Sequence, residues 1–246
     1  MADSMMRFVA PKHRPTIVEP RPWGAHLKHP EGGYLLHKVH MVRPHGDLSP
    51  VRALQYYDSG RVQTVLDALG KTRWKINEDI LSIAEEAWAA DLQCAGIPPK
   101  KDPEKPEKPE NFEDLSKEER KAWHLNERSV IKERNELKSE RPTFLHKLQV
   151  ARDFRRQPVI YFPHNVDFRG RAYPIPPHLN HIGDDFCRGL LQFADAKPLG
   201  ERGFYWLKVG LANLLGKDKL RLDERVEFVD SKKEQILAAV ADPLKP

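Results

Sequence analysis

The sequence contains little cysteine and no long apolar run, and each shortage excludes a class of protein. Its 246 residues include 2 cysteines, Cys94 and Cys187, too few for a disulfide framework, so a reduced compartment is the default. No run of about 18 apolar residues occurs, which excludes a transmembrane helix and leaves no membrane partner expected. The first residues lack the apolar core of a secretory signal, and no targeting segment is visible there.

Familiar catalytic signatures are also missing, among them glycine-rich phosphate loops, HExxH and a Ser/His/Asp set. Asp184 and Asp185 form a carboxylate pair, but adjacent loop residues usually diverge, so we expect no metal site there. His178, His181 and Cys187 have a spacing compatible with zinc, yet a fourth ligand is lacking, which favours a hydrogen-bonded histidine pair. The sequence therefore assigns neither metal ligands nor catalytic residues.

The composition is that of a polar globular chain long enough to bury a core. Hydrophobic residues make up 39% of the chain and charged residues 31%. Lys and Arg number 41 against 36 Asp and Glu, a formal net charge of +5. This mild basic excess is a weak indication of a nucleic-acid partner.

The hydrophobic periodicity predicts a mixed α+β fold that is mostly helical. Apolar residues at helical spacing predict one helix over 62–69 and a second behind Asn77, a plausible N-cap. Residues 97–116 contain five prolines and alternating Lys and Glu, the composition of a mobile linker. Short strands are expected at 159–162 and 190–194.

Residues 117–156 are predicted to form a basic helical hairpin, because Pro142 interrupts a heptad-like pattern. This stretch has 12 basic and 7 acidic side chains, so it holds a surplus equal to that of the whole chain. A solvated helix face is the ordinary interpretation of such a charge run. The stretch ends with Arg152, Arg155 and Arg156, directly before the next motif. This position favours a role for these arginines in phosphate contacts.

That motif, in residues 158–181, is the most informative part of the chain. Arg169 and Arg171 flank Gly170, with Asp167 upstream and Tyr173 downstream. In an extended segment the two arginines would point the same way, and each guanidinium can bind a phosphate bidentately. Asp167 would hold one of them, and Tyr173 offers a ring for stacking on a base or sugar.

The segment closely resembles the single-subunit, phage-type DNA-directed RNA polymerases, which transcribe mitochondrial and some plastid genomes. The similarity rests on residues 161–174, 177–181, 188–194, 197–200 and 206–208, on Asn213, and upstream on 20–23 and 72–77. It spans nearly the whole chain, weakly in the linker and strongly after Pro158.

The resemblance implies a partial right-hand polymerase fold. Residues 1–96 would end the N-terminal domain, 97–116 would be the linker, 117–157 the thumb helices, and 158–246 the first part of the palm. Asp167, Arg169, Gly170, Arg171 and Tyr173 would contact the template and the RNA–DNA hybrid. Further backbone contacts are expected from Arg152, Arg155, Arg156 and Lys208.

The implied function is DNA-dependent RNA polymerisation, with template DNA and nascent RNA as partners and transcription factors left open. The full-length enzyme would use Mg²⁺ held by aspartates. The resemblance places those aspartates beyond Pro246, so we expect a fragment that binds nucleic acid, holds no metal and does not polymerise. The implied location is organellar, with the mitochondrion favoured.

Two other classes of function stay open at this point. One is a nucleic-acid-binding remnant without catalysis, such as a truncated paralogue. The other is a basic helical scaffold that binds another protein. Salt-dependent binding to a hybrid would separate the scaffold from both nucleic-acid readings.

Overall fold

A computed structural model of the chain describes residues 12–24, 31–43 and 59–245. The segment in which a targeting signal would lie, at the very start, falls outside these residues. Two units follow one another along the chain, Met1–Ala194 and Asp195–Pro246. Helices contain more of the described residues than strands do, and the sheets are small, which confirms the prediction of a mixed fold of helices and strands.

The described residues of the first unit include two helices with a short strand between them. Helix α1 spans Gly60–Gly70, strand β1 spans Trp74–Ile76, and helix α2 spans Glu78–Ala89. As predicted, the Asn77 side chain caps α2 by accepting a hydrogen bond from the Ile80 N–H.

Two antiparallel strand pairs form the β structure of this unit. Strand β2, His164–Val166, and strand β3, Ala172–Pro174, make a hairpin, in which Val166 lies opposite Ala172. After the five-residue helix α4, Asp185–Gly189, strand β4, Leu191–Phe193, pairs with β1. β4 confirms the strand predicted near 190–194, whereas residues 159–162 form isolated bridges rather than a strand.

Buried apolar residues surround the segment that leads into the β2–β3 hairpin. Ile160 bridges to Trp74, and Ile160 and Phe162 are fully buried with Leu81, Leu148 and Leu190. A parallel bridge joins Val42 to Val166, so residues 41–43 lie along the edge of β2 that does not pair with β3. Val166 of β2 belongs to a buried apolar cluster with Trp23, Met41, Val42 and Leu66, so the hairpin is attached to the core through this strand.

The prediction of a helical hairpin over 117–156 is wrong. One helix, α3, runs through Lys117–Phe154 and has Pro142 inside it. Proline removes one backbone hydrogen bond and usually bends or ends a helix. Here burial continues across the proline, because Leu137 on one side and Phe144 on the other are both packed in the interior.

Residues 97–116 lie along α3. Trp123 donates its indole N–H to the Glu107 carbonyl at 3.0 Å, and its ring meets buried Phe112 edge to face. Farther along the helix, Arg134 and Arg141 both form ion pairs with Asp102, at 3.2 and 2.7 Å. We call residues 97–116 the strap, and its use as a domain boundary stays a prediction.

Arg141 is the main attachment of the strap, and replacing it should loosen the strap. Its guanidinium donates to the Pro99 and Lys101 carbonyls and to Asp102. We expect Arg141→Ala to lower the free energy of unfolding by about 2 kcal/mol, because charge-assisted hydrogen bonds are lost.

Urea unfolding and hydrogen exchange of the strap amides would measure this effect. The control is Lys138→Ala on the same helix, whose exposed side chain donates a hydrogen bond to Asn135 and forms no ion pair with a described residue. Equal stability of the Arg141 and Lys138 variants would contradict an anchoring role for Arg141.

The described residues of the second unit form three helices. They are α5, Gly200–Leu214, α6, Leu222–Ser231, and α7, Lys233–Ala241. Lys208 on α5 forms an ion pair with Asp230 on α6 at 2.6 Å. None of the helices in the described residues is both long enough and apolar enough to cross a membrane.

Candidate nucleic-acid interface

Residues 167–171 form the tip of the β2–β3 hairpin. The Asp167 N–H donates to the Arg171 carbonyl at 2.9 Å, and the Gly170 N–H donates to the Asp167 carbonyl at 3.0 Å. Gly170 has φ +79°, a left-handed conformation that glycine adopts without a steric penalty. The sequence interpretation of an extended segment is therefore wrong, because the chain reverses between the two arginines.

The Asp167 carboxylate organises this tip. One oxygen accepts the backbone N–H groups of Arg169 and Arg171, both at 2.9 Å, and the other accepts the Arg169 guanidinium at 3.3 Å. The hydrogen bond from the Arg171 backbone, followed by those from Arg169, holds the pKa of Asp167 below its ordinary value. The expected role of Asp167 in holding an arginine is confirmed for Arg169.

The tip presents cations and an aromatic ring to solvent. Arg169, Gly170 and Arg171 are exposed, and Phe168 is 60% exposed with the Arg169 guanidinium 5.1 Å from its ring centroid. Arg171 forms no ion pair within the described part of the chain. The arginine side chains can therefore reach an external polyanion without first breaking a buried contact.

Tyr173 lies on β3, directly below the tip, and carries an unforeseen partner. The Arg43 guanidinium lies 4.9 Å from the Tyr173 ring centroid and donates to Asn165 Oδ1 at 2.6 Å and to the Pro174 carbonyl at 2.9 Å. Burial lowers the pKa of Arg43, while nearby Tyr173 and Asp167 act in the opposite direction. One face of the predicted stacking ring is thus covered by an arginine that no local motif pointed to.

The other predicted backbone contacts differ in their availability. Arg152 and Arg155 form ion pairs with Glu85, and Arg155 also bonds Glu78 at 3.2 Å, so both join α3 to α2. Lys208 is held by Asp230 in the second unit. Arg156 is exposed, and no ion pair to another described residue is formed by it.

His164, the first residue of β2, pairs with His181; His164 is buried and His181 is half-buried. His164 and His181 stack with ring centroids 5.0 Å apart, and their Nε2 atoms are 3.1 Å apart. His164 Nδ1 lies 2.6 Å from the Phe162 carbonyl and must donate to it, so neutral His164 accepts through Nε2 from His181. Burial is the main cause that lowers the pKa of His164 to about 4.

The zinc-like spacing does not produce a ligand cluster. His178 packs against His146 at 5.0 Å, whereas His181 pairs with His164, so the histidine pairs differ from the expected one. Asp184 caps α4 and bonds Lys147, and Asp185 bonds Arg188. Among the described residues no group of three His, Cys, Asp or Glu side chains could hold a metal ion.

A second basic surface lies on the first turns of α3. Lys117, Arg120, Lys121 and Arg128 recur at helical spacing around a shallow hollow. Their side chains are exposed or half-buried, and none forms an ion pair with a described residue. We call these four residues the basic face.

Comparison with known proteins shows that the chain is similar to DNA-directed RNA polymerases. The family described as DNA-dependent RNA polymerase matches residues 197–246. The mitochondrial DNA-directed RNA polymerase of Neurospora crassa is 42% identical over 95% of this chain, and the mitochondrial DNA-directed RNA polymerase 1 of Arabidopsis thaliana is 37% identical over 99%. The chloroplastic DNA-directed RNA polymerase 3 of Nicotiana sylvestris is 40% identical over 94%.

The chain spans 16%, 25% and 23% of the length of these three relatives, respectively. Identity of this level extends over nearly every residue of the chain. Over nearly its whole length the chain therefore matches a limited segment of mitochondrial and chloroplastic DNA-directed RNA polymerases, and the family that it resembles is that of the single-subunit, phage-type DNA-dependent RNA polymerases.

Proposed function

We propose that this chain is the part of an organellar DNA-directed RNA polymerase that holds the template DNA and the RNA–DNA hybrid. The observation that carries the proposal is the hairpin tip, where Asp167 fixes the backbone on which Arg169 and Arg171 are exposed. Such cations bind phosphates without reading bases. The proposed activity of the whole enzyme is template-directed nucleotidyl transfer to an RNA 3′ end with Mg²⁺, and its location is mitochondrial or plastid.

An RNA–DNA hybrid suits this surface because of the geometry of the hybrid's minor groove. A-form duplexes expose sugars and phosphates across a wide, shallow minor groove. A narrow hairpin tip with two arginines and exposed Phe168 can approach such a groove, and Gly170 adds no side chain between them. We assign the tip to the hybrid backbone, with Tyr173 as the adjoining aromatic contact.

The basic face extends the proposed contact along the nucleic acid. Its four cations have no carboxylate partner among described residues, so binding a phosphate there would cost no internal ion pair. Arg156 likewise has no carboxylate partner among the described residues. Arg152, Arg155 and Lys208 stay predicted phosphate contacts, and each would exchange a carboxylate for a phosphate. We also propose that α3 is the thumb and that 158–246 begins the palm of a right-hand fold.

A salt series on a blunt RNA–DNA hybrid tests the proposal. If about four phosphates are contacted, the affinity should fall by roughly two orders of magnitude between about 50 and about 200 mM salt. Hybrids of unrelated sequence should bind equally, since the contacts are to the backbone. A flat response to salt would instead favour a scaffold that binds another protein.

A further inference from the structure

An open groove adjoins the hairpin in the first unit. Its volume is about 640 Å³, and it is lined by His13, residues 38–40, Arg43, Asn165, residues 173–177, Asn180, Ile182 and Gly183. Pockets of 300–1,000 Å³ hold ligands of nucleotide size. The groove starts at Tyr173, two residues from Arg171, so it continues the surface of the hairpin.

The lining has the chemistry of a site for an unstacked nucleotide. Tyr173, Pro174, Ile175, Pro176 and Pro177 supply aromatic and apolar surface on which a base can lie. Lys38, His40 and Arg43 supply the basic side, and no carboxylate is among the described residues that line the groove. Apolar surface beside cations matches a base and its phosphate together.

The cations differ in how they are held. Arg43 donates to Asn165 and to the Pro174 carbonyl, and its guanidinium lies 4.9 Å from the Tyr173 ring centroid, so it is oriented before any ligand arrives. Lys38 is 88% exposed and forms an ion pair with Glu31 at 2.8 Å. A phosphate at the groove would therefore meet one pre-positioned cation and one on a long, mobile stem.

We propose that this groove binds one or two nucleotides of a single strand that leaves the hybrid at the hairpin. The proposal rests on the proposed function, because the hybrid must first be seated on Arg169 and Arg171. The strand is recognised through its phosphates by Arg43 and Lys38 and through a base on the Tyr173–Pro177 side. RNA and DNA share this chemistry, and the experiment separates them.

The test compares a blunt hybrid with hybrids that carry a three-nucleotide overhang, made as RNA or DNA and at either end. For the unaltered chain we expect at least one overhang to raise affinity about tenfold, since stacking of one base contributes on that order. The overhang that raises the affinity, RNA or DNA and at one end or the other, identifies the strand that occupies the groove. If the blunt hybrid binds but no overhang raises the affinity, the groove proposal is overturned and the proposed function is not.

Variants of Ile182 supply the direct control. Ile182 lines the groove and is 52% exposed, so its replacement should leave the fold intact. Ile182→Glu should abolish the gain from the overhang, Ile182→Gln should retain most of it, and both should bind the blunt hybrid within about threefold of the unaltered chain. Lys219→Glu makes a charge change at a site that is 92% exposed in the second unit and should retain the gain.

Retention of the full gain by Ile182→Glu would overturn the groove as the binding site. Loss of the gain by Lys219→Glu would do so as well, because net charge would then be the cause. If neither the blunt nor the overhanging hybrid binds the unaltered chain, the proposed function fails, and the groove proposal fails with it.

Discussion

Replacing both hairpin arginines, Arg169→Ala with Arg171→Ala, should lower the affinity for a blunt RNA–DNA hybrid about a hundredfold. Each arginine can contact a phosphate, and the loss of charged contacts of this kind costs a few kcal/mol. The slope of log affinity against log salt should fall by about two, since two phosphate contacts disappear. Both side chains are exposed, so thermal unfolding should be unchanged.

The matched control removes two charges elsewhere. Arg61→Ala with Lys219→Ala changes two exposed cations that lie outside the hairpin, the basic face and the groove. Its affinity should stay within about threefold of the unaltered chain. Equal losses in the two double variants would show that net charge is responsible and not the hairpin.

Asp167→Ala separates positioning from charge even more clearly. The substitution removes a negative charge, so a purely electrostatic effect would strengthen binding. Because Asp167 accepts the backbone N–H groups of both Arg169 and Arg171, we expect the tip to lose its order and the affinity to fall about tenfold instead. Tighter binding by this variant would contradict the positioning role.

Acid should destabilise the first unit through the pair of His164 and His181. His164 has a pKa of about 4 in the folded chain against an ordinary value of 6.5. Between these two values the unfolded chain binds a proton that the folded chain does not bind. The free energy of unfolding therefore falls as pH drops from about 6.5 to about 4, by about 3 kcal/mol in total.

His181 and His178 act in the same direction, because burial lowers the pKa of both. Denaturant unfolding at several pH values would measure the fall, and His164→Asn should make it shallower. His124→Asn on the exposed side of α3 should keep the original profile. The same pH profile for His164→Asn and the unaltered chain would show that the pair is not responsible.

Local features of the structure could be predicted where neighbouring residues determine them. The Asn77 cap is one case, since its donor at Ile80 is three residues away. The hold of Asp167 on Arg169 is another. Both depend on backbone geometry within a few residues, which residue type and spacing encode directly.

Features that depend on distant residues were missed. Pro142 predicts a helix break by a local rule, but burial of Leu137 and Phe144 and the bonds of Arg141 to the strap outweigh it. The Arg43–Tyr173 contact joins residues 130 positions apart through the Val42–Val166 bridge. No periodicity or motif in either segment indicates that pairing.

Helix α3 has a mechanical consequence that follows from its continuity through Pro142. Its 38 residues make a rod about 57 Å long. The carboxyl-terminal end is embedded, with Leu148 and Ala151 fully buried, whereas Lys117 is exposed at the other end. A tilt of about 5° at the embedded end would move the far end by about 5 Å, close to the rise of one helical turn. Because the strap is bonded to α3 at Trp123, Arg134 and Arg141, such a tilt would move the strap and the basic face together.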